Sequence, residues 1–258
     1  MCFKNWFHKP DPAVYSNKTA LLFGINNYPG SVNDLEGCLN DVDDVADKLT
    51  NEFPEFKIKK FKDWEVTTSQ FNNEIKNVLT MMLQRDVLYI HYSGHGTQIP
   101  DNDEVDYYSE ALYLFDGPYD DCNVYKLQQL TPDGAKVVIK FDSCFSGGMS
   151  RKRNIVKNRF YQMEGVPIRH KVKRSLSRGD NQKWVIFAGC GEDQTSADAW
   201  FNNRANGAFT FYDNKSFNPT MTYEEEIFKL KTYLPGTKFD QVPELIGNTI
   251  LFNNLIFT

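Results

Sequence analysis

The chain has 258 residues, of which 41% are hydrophobic and 24% charged, and its formal net charge is −5. This length buries a sizeable core, and the mild acidity argues against nucleic acid as the main partner. The five cysteines match no disulfide or zinc spacing, which favours a reducing compartment and a cytoplasmic location. No apolar run is long enough to span a bilayer, so no membrane partner is predicted.

Apolar runs and helical patterns alternate along the chain. Strands are predicted at 20–25, 56–64 (edge-like), 87–92, 111–115, 137–141, 184–188 and, at the end, 249–257. Apolar residues at helical spacing predict helices at 39–53, 67–83, 124–130 and 222–234. Near-continuous apolar strands between helices are typical of a parallel sheet that is covered on both faces. The sequence therefore predicts an α/β fold.

Residues 149–182 break the alternation and predict a long exposed loop. Ten Lys or Arg residues and one acidic residue, Glu164, lie between Arg151 and Arg178. We therefore divide the chain into an N-terminal extension (1–17) and a single domain (18–258). Within the domain, a basic linker (151–182) separates one half (18–150) from the other (183–258).

Two short motifs directly follow predicted strands. One places His95 between two glycines, and the other, Asp-Ser-Cys-Phe-Ser-Gly-Gly, places Cys144 two residues after Asp142. Sites in α/β sheets form at the carboxyl ends of strands, so the thiol and the imidazole are expected to meet there. A cysteine nucleophile needs a base and donors for the oxyanion. We predict His95 as the base, and the main-chain N–H groups of Gly96 and Cys144 as the donors.

His91 is the rival base, but it lies inside a predicted strand and is interpreted as a core residue or as support for the site. It is four residues from His95 without the Glu of a zinc-protease HExxH helix. A purely structural role remains open for each residue taken alone. A lone Cys is more often a small buried hydrophobe, and a lone His is more often a turn residue.

The two motifs resemble the His and Cys motifs of the caspase-like cysteine peptidases, specifically metacaspases and their bacterial relatives. The stretch Gly-Cys-Gly-Glu-Asp-Gln-Thr-Ser-Ala-Asp at 189–198 resembles the start of their small-subunit half, and the likeness extends over about residues 18–250. The resemblance implies a caspase-like three-layer sandwich, with a mainly parallel sheet of about six strands and helices on both faces. It also implies a Cys144–His95 dyad.

The resemblance further implies a substrate pocket lined by Asp41 and Asp142, with Cys38 in the pocket region and Asp198 as a weaker member. From the residues alone, Asp41 is a helix-terminus acid and Asp142 a turn former. With the resemblance, two buried carboxylates would select Arg or Lys before the cleaved bond.

Calcium is an expected activator in this family, and Asp116, Asp120 and Asp121 are the carboxylates that could contribute ligands for it. A solvated acidic turn has the same sequence pattern. Arg151 stands where the family often has an Asp, which speaks against calcium activation. No cofactor is required for the chemistry itself.

The basic linker offers an Arg/Lys-specific peptidase its own substrate sequences. Arg153, Lys173 and Arg174 are the predicted processing positions, and the linker is either an autoprocessing site, a pseudosubstrate lid over the acidic pocket, or a solvated linker.

The sequence thus favours a monomeric cysteine endopeptidase that acts on protein or peptide substrates after Arg or Lys and is regulated by autoprocessing. Two alternatives stay open: a catalytically silent caspase-like binding or scaffold module, and an Asp-specific protease of the caspase type.

Overall fold

The structure is a computed structural model that describes residues 17–100, 108–144, 157–167, 183–191, 194, 196–234, 239 and 241–258. Its strands are β1 (Lys18–Gly24), β2 (Phe56–Lys62), β3 (Val87–Ser93), β4 (His95–Pro100), β5 (Tyr108–Leu114), β6 (Gly117–Asp120), β7 (Lys136–Asp142), β8 (Lys157–Asn158), β9 (Trp184–Ala188), β10 (Ala197–Phe201), β11 (Arg204–Gly207) and β12 (Glu244–Gly247). Its helices are α1 (Cys38–Glu52), α2 (Thr68–Met81), α3 (Asp121–Gln128), α4 (Ala208–Ser216), α5 (Tyr223–Tyr233) and α6 (Thr249–Phe252), with a 3₁₀ turn at Asp63–Glu65.

The central sheet has the strand order β12-β9-β7-β3-β1-β2. Neighbouring strands are parallel, except that β12 runs antiparallel to β9. The predicted mainly parallel sheet of six strands is therefore confirmed, and β2 lies at its edge as its weaker pattern predicts. The sheet draws strands from both predicted halves of the domain.

Helices cover both faces of this sheet, because alternate strand residues point to opposite sides. On one face, Leu21 and Phe23 pack with Phe71 of α2 and Leu127 of α3. On the other face lies a cluster that includes Leu22, Val45 of α1, Phe209 of α4 and Leu230 of α5. The result is the three-layer arrangement predicted from the sequence.

The predicted terminal strand at 249–257 is wrong. Thr249–Phe252 is the short helix α6, whose first turn is capped by the Asn248 side chain accepting a hydrogen bond from the Ile250 N–H (3.0 Å). The apolar character of this run reflects burial and not extended backbone, since Ile256 and Phe257 pack into the core beside α5. The last strand of the sheet, β12, precedes it in the chain.

Two smaller antiparallel sheets complete the described part of the fold. One has the order β4-β5-β6, and the other has the order β11-β10-β8. The first begins at His95, immediately after β3, and the second carries Asp198 on β10. Both therefore bring predicted site residues to the carboxyl edge of the central sheet. Among the described residues, no helix combines the length and the apolarity needed to cross a membrane.

Candidate active site

The two motifs meet because β3 and β7 are neighbouring parallel strands. Ser93 at the end of β3 lies beside Asp142 at the end of β7, and each chain continues for two residues to reach His95 or Cys144. The main-chain N–H groups of Gly96 and Cys144 both point at one oxygen atom, the carbonyl of Arg159, at 2.9 and 3.1 Å. The sequence-predicted donors thus converge on a single point, as an oxyanion site requires.

The His95 ring is held in one orientation by a main-chain carbonyl. Its Nε2 lies 2.6 Å from the Asn33 oxygen, and because that oxygen can only accept, Nε2 carries the hydrogen. Nδ1 is left as the basic nitrogen, and it makes no hydrogen bond of ordinary geometry within the described residues. The Tyr28 ring packs 4.7 Å from the His95 ring between centroids, and the Tyr28 hydroxyl accepts the His95 N–H.

Burial lowers the pKa of His95 to about 4, although the carbonyls of Asn33 and Arg159 raise it. The imidazole is therefore neutral at pH 7 and able to accept a proton at Nδ1. Sequence reasoning missed both Asn33 and Tyr28, since a main-chain carbonyl leaves no side-chain signal and Tyr28 lies in an ordinary turn pattern.

Cys144 is fully buried, and its thiol lies between the two main-chain groups of Ser196. The sulfur donates to the Ser196 carbonyl at 3.1 Å and accepts from the Ser196 N–H. Burial and the neighbouring Cys190 thiol raise the pKa of Cys144 well above its usual value. The thiol is therefore protonated at neutral pH in this structure.

The predicted acidic residues come together around a buried guanidinium. Arg159 Nη2 lies 2.8 Å from Asp41 and 3.0 Å from Asp198, and Arg159 Nη1 lies 3.2 Å from Asp142. All four side chains are almost fully buried. The residues that the resemblance assigns to a substrate pocket thus form one buried acidic cluster, and their role in binding substrate stays a prediction. Cys38, the first residue of α1, is buried beside it, and burial raises the pKa of its thiol while Arg159 lowers it.

The carboxylates are fixed by further hydrogen bonds. Asp41 accepts from the Ser93 hydroxyl at 2.7 Å and from the Gly207 N–H at 3.0 Å. Asp142 accepts from both the N–H and the hydroxyl of Thr210 at the start of α4, at 2.9 and 2.7 Å. A Cβ at Gly207 would lie 2.1 Å from the Asp142 carboxylate, so only glycine lets the chain pass this close to the pocket.

Residues 157–161, here called the docked segment, run through the cleft like a bound peptide. Lys157 and Asn158 form β8, which pairs antiparallel with β10. The Arg159 N–H then donates to the Ser196 carbonyl at 3.2 Å, and the Arg159 carbonyl accepts from Gly96 and Cys144 as described above. The sequence marked the basic linker as a possible occupant of the pocket but could not tell which of its basic residues enters it. The predicted processing positions Arg153, Lys173 and Arg174 lie outside the described residues.

Two of the three carboxylates predicted for calcium accept hydrogen bonds at the start of helices. Asp116 accepts from the N–H of Thr68 at 2.7 Å, at the first turn of α2, and Asp120 caps α3 by accepting from the Asn123 N–H at 2.8 Å. Asp121 is buried in the first turn of α3. Within the described ranges no group of three or more His, Cys, Asp or Glu side chains could hold a metal ion. These three residues do not fit a calcium site, and calcium activation stays a prediction of the sequence.

His91 is fully buried in β3, where its Nε2 lies 3.1 Å from the Thr210 hydroxyl. Burial lowers the pKa of His91 to about 3, and the nearby Lys140 cation lowers it further. It supports the residue that anchors Asp142, in agreement with its interpretation as a core residue.

Comparison with known proteins agrees with this geometry. The family model described as Caspase domain matches residues 17–253. The chain belongs to the caspase-domain family. Metacaspase-1 of Meyerozyma guilliermondii is 30% identical over 88% of this chain and 68% of its own length, and metacaspase-1 of Schizosaccharomyces pombe is 27% identical over 92% and 69%.

Solved structures show the same fold. Protein GSU0716 from Geobacter sulfurreducens has a TM-score of 0.71 at 23% identity, covering 94% of this chain and 98% of its own. Caspase-1 from Spodoptera frugiperda has a TM-score of 0.64 at 15% identity, covering 94% and 90%. The family resemblance and the caspase-like fold predicted from the sequence are confirmed, and this caspase-domain protein is a cysteine peptidase.

The burial of Cys144 beneath the docked segment predicts slow alkylation. Iodoacetamide at neutral pH should modify the exposed Cys122 at least about tenfold faster than the protonated, inaccessible Cys144, as peptide mass spectrometry of timed samples would measure. Urea-unfolded protein, in which both thiols react alike, is the control. Equal rates in the folded protein would show that the docked segment does not close the cleft.

Proposed function

We propose that this caspase-domain peptidase cleaves peptide bonds after Arg or Lys, with Cys144 as nucleophile and His95 as base, and that the docked segment holds it inactive until processing. One observation carries the proposal: Arg159 places its guanidinium among Asp41, Asp142 and Asp198 while its carbonyl accepts from Gly96 and Cys144. An arginine of the chain itself thus occupies the position of a substrate residue before the scissile bond, called P1.

The pocket supports selection of a basic side chain by its charge. Three buried carboxylates are stable only with a cation among them, since an unpaired buried charge costs several kcal/mol. A guanidinium bridges them through two nitrogens, whereas an ammonium offers one charged atom, so Arg is preferred over Lys. An Asp at P1 would be repelled, which disfavours specificity of the caspase type.

The chemistry follows from the orientation of His95. In the proposed mechanism, Nδ1 takes the proton of the Cys144 thiol, and the thiolate attacks the P1 carbonyl carbon. The oxyanion accepts from the N–H groups of Gly96 and Cys144. His95 then gives its proton to the leaving amine as the C–N bond breaks, and later accepts a proton from the water that hydrolyses the thioester. The Asn33 carbonyl keeps Nε2–H in place throughout and so preserves the tautomer.

The docked segment supports an inactive resting state. It fills the anionic pocket, occupies both oxyanion donors and leaves the Cys144 thiol hydrogen-bonded to Ser196. A substrate therefore competes with a segment that is always present at high effective concentration. Cleavage or displacement of the segment would free all three features together.

Peptides with a fluorogenic group after Arg, Lys or Asp test the specificity, each with and without Ca²⁺. We expect turnover of Arg and Lys peptides only, with no turnover in Cys144→Ala. Asp41→Asn removes one of three buried carboxylates and should lower kcat/KM for Arg by roughly 30-fold or more. Asp47→Asn, at an exposed position of the same helix, is the matched control. Turnover of Asp peptides would overturn the pocket assignment. Inactivity under every condition, including after limited trypsin treatment, would favour a silent binding module.

Self-processing is expected at the bond that lies over the oxyanion donors. Incubated wild-type protein should yield a new amino terminus at Phe160, whereas Cys144→Ala should stay intact, as amino-terminal sequencing and intact-mass measurement would show. Arg159→Gln should abolish this cut, because the neutral amide cannot satisfy the pocket. An active enzyme without a cut at this bond, and unchanged in activity by Arg159→Gln, would contradict the regulatory part of the proposal.

The pH dependence of substrate binding is expected to follow Asp41. Burial, together with the neighbouring Asp142 carboxylate, raises the pKa of this carboxyl to about 7, although the Arg159 cation lowers it. This value belongs to the pocket with the Arg159 cation in it, and without a cation the Asp41 pKa is higher still. A P1 arginine therefore displaces a proton from Asp41 above pH 7, and KM for an Arg peptide should fall by about tenfold as the pH rises from 7 to 9 in wild type. The same profile should be flat in Asp41→Asn, and a flat profile in wild type would contradict this assignment.

A further inference from the structure

The docked segment continues past the Arg159 carbonyl and makes ordered contacts on the far side of the cleft. Phe160 pairs with Gly96 in a β-bridge, and the Tyr161 N–H donates to the Gly96 carbonyl at 2.8 Å. The buried Thr97 hydroxyl donates to the Tyr161 carbonyl at 2.8 Å. These contacts involve main-chain atoms of the segment, so they align any peptide at this position whatever its side chains.

Tyr161 also makes a specific side-chain contact. Its ring stacks on the Tyr113 ring, with 3.6 Å between the centroids and an interplanar angle of 8°. Tyr113 belongs to β5 and is the cross-strand partner of His95 on β4. Its main-chain carbonyl accepts from the Tyr92 hydroxyl at 2.9 Å, which fixes the strand beneath the ring. The Tyr161 ring also meets the His95 ring edge-on, with the centroids 6.1 Å apart.

We propose that Tyr113 is the floor of a subsite for the second residue after the scissile bond, called P2′, and that it selects an aromatic side chain there. This inference rests on the proposed function, because it takes the docked segment as the image of a bound substrate. A contact between two aromatic rings contributes free energy beyond that of the apolar area it buries. This extra free energy corresponds to a preference of about 3- to 10-fold in kcat/KM for an aromatic side chain at P2′. The preferred substrates are then proteins with Arg followed, two residues later, by Tyr, Phe or Trp.

The subsite lies on a rigid element and not on a loop. Tyr113 is in the paired region of the β4–β5 hairpin, and the Tyr28 ring lies 6.0 Å from it between centroids. Tyr161 itself is only half-buried, while the next residue, Gln162, is exposed.

Two readouts test the subsite. The first uses the full chain and quenched-fluorescence peptides that share Arg at P1 and Phe after it, and that differ only in Tyr or Ala at P2′. The quantity compared is the ratio of kcat/KM for Tyr over Ala within each variant, so changes in absolute activity cancel. We expect a ratio of about 3 to 10 in wild type and in Tyr113→Phe, and about 1 in Tyr113→Ala. Tyr125→Ala, an exposed tyrosine on α3, is the matched control and should keep the wild-type ratio.

The second readout needs no catalysis and is made on protein that intact-mass measurement shows to be uncut. The rate of iodoacetamide modification of Cys144, relative to Cys122, should rise about 3- to 10-fold in Tyr113→Ala, because the docked segment loses its stacking contact. Tyr161→Ala should give the same rise, and the double variant should add little, since both changes remove one interaction. Tyr113→Phe and Tyr125→Ala should behave as wild type.

An unchanged Tyr-to-Ala ratio in Tyr113→Ala, or Cys144 modification at the wild-type rate in that variant, would overturn the subsite. A separate arginine substrate with a coumarin leaving group has no P2′ residue and reports the proposed function alone. If wild type fails to hydrolyse it even after processing, the proposed function fails, and the Cys144 modification rates then decide the Tyr113–Tyr161 contact alone. If wild type hydrolyses it and the peptide ratio is about 1, only the P2′ inference fails.

Discussion

The burial of three carboxylates around one guanidinium is the constraint on which the described cleft depends. Asp41 comes from α1, Asp142 from β7 and Asp198 from β10, so elements from three parts of the chain converge on the Arg159 cation. Without a cation, carboxylates this close would repel one another or take up protons. This arrangement is therefore held by charge balance as much as by packing, and removing Arg159 from among the carboxylates requires another cation, protons or water to enter.

A second buried charge cluster fixes the helix that supports this pocket. Lys140 lies in the middle of β7, fully buried, and contacts the carboxylates of Asp213 on α4 and Glu226 on α5. Two residues further along β7, Asp142 accepts from Thr210 at the start of α4. The helix is thereby tied to the same strand at two points. Breaking a buried ion pair is strongly destabilising, so the position of α4, and with it the back wall of the pocket, is well determined.

The sequence predicted those parts of the fold that a repeating pattern encodes. Apolar runs marked the parallel strands, and glycine-rich motifs after two of them marked His95 and Cys144. It did not predict α4. Polar residues of this helix such as Thr210 and Asp213 face inward and contact the pocket and the buried charge cluster, so apolar residues do not recur there at helical spacing. Nor could it choose Arg159 among the basic residues of the linker, because that choice depends on the register of β8 against β10. Long-range pairing of this kind leaves no local signal.

The group that orients His95 is a main-chain carbonyl, at Asn33. Every amino acid supplies that oxygen, so the identity of residue 33 is free to drift while the imidazole keeps its orientation. What must persist is the path of the chain between Tyr28 and α1, which is held by hydrogen bonds such as that from the Tyr28 N–H to the Asp34 carboxylate at 2.9 Å. Across relatives of this protein, the group that orients His95 is therefore expected to persist as a loop conformation, while the amino acid at position 33 varies.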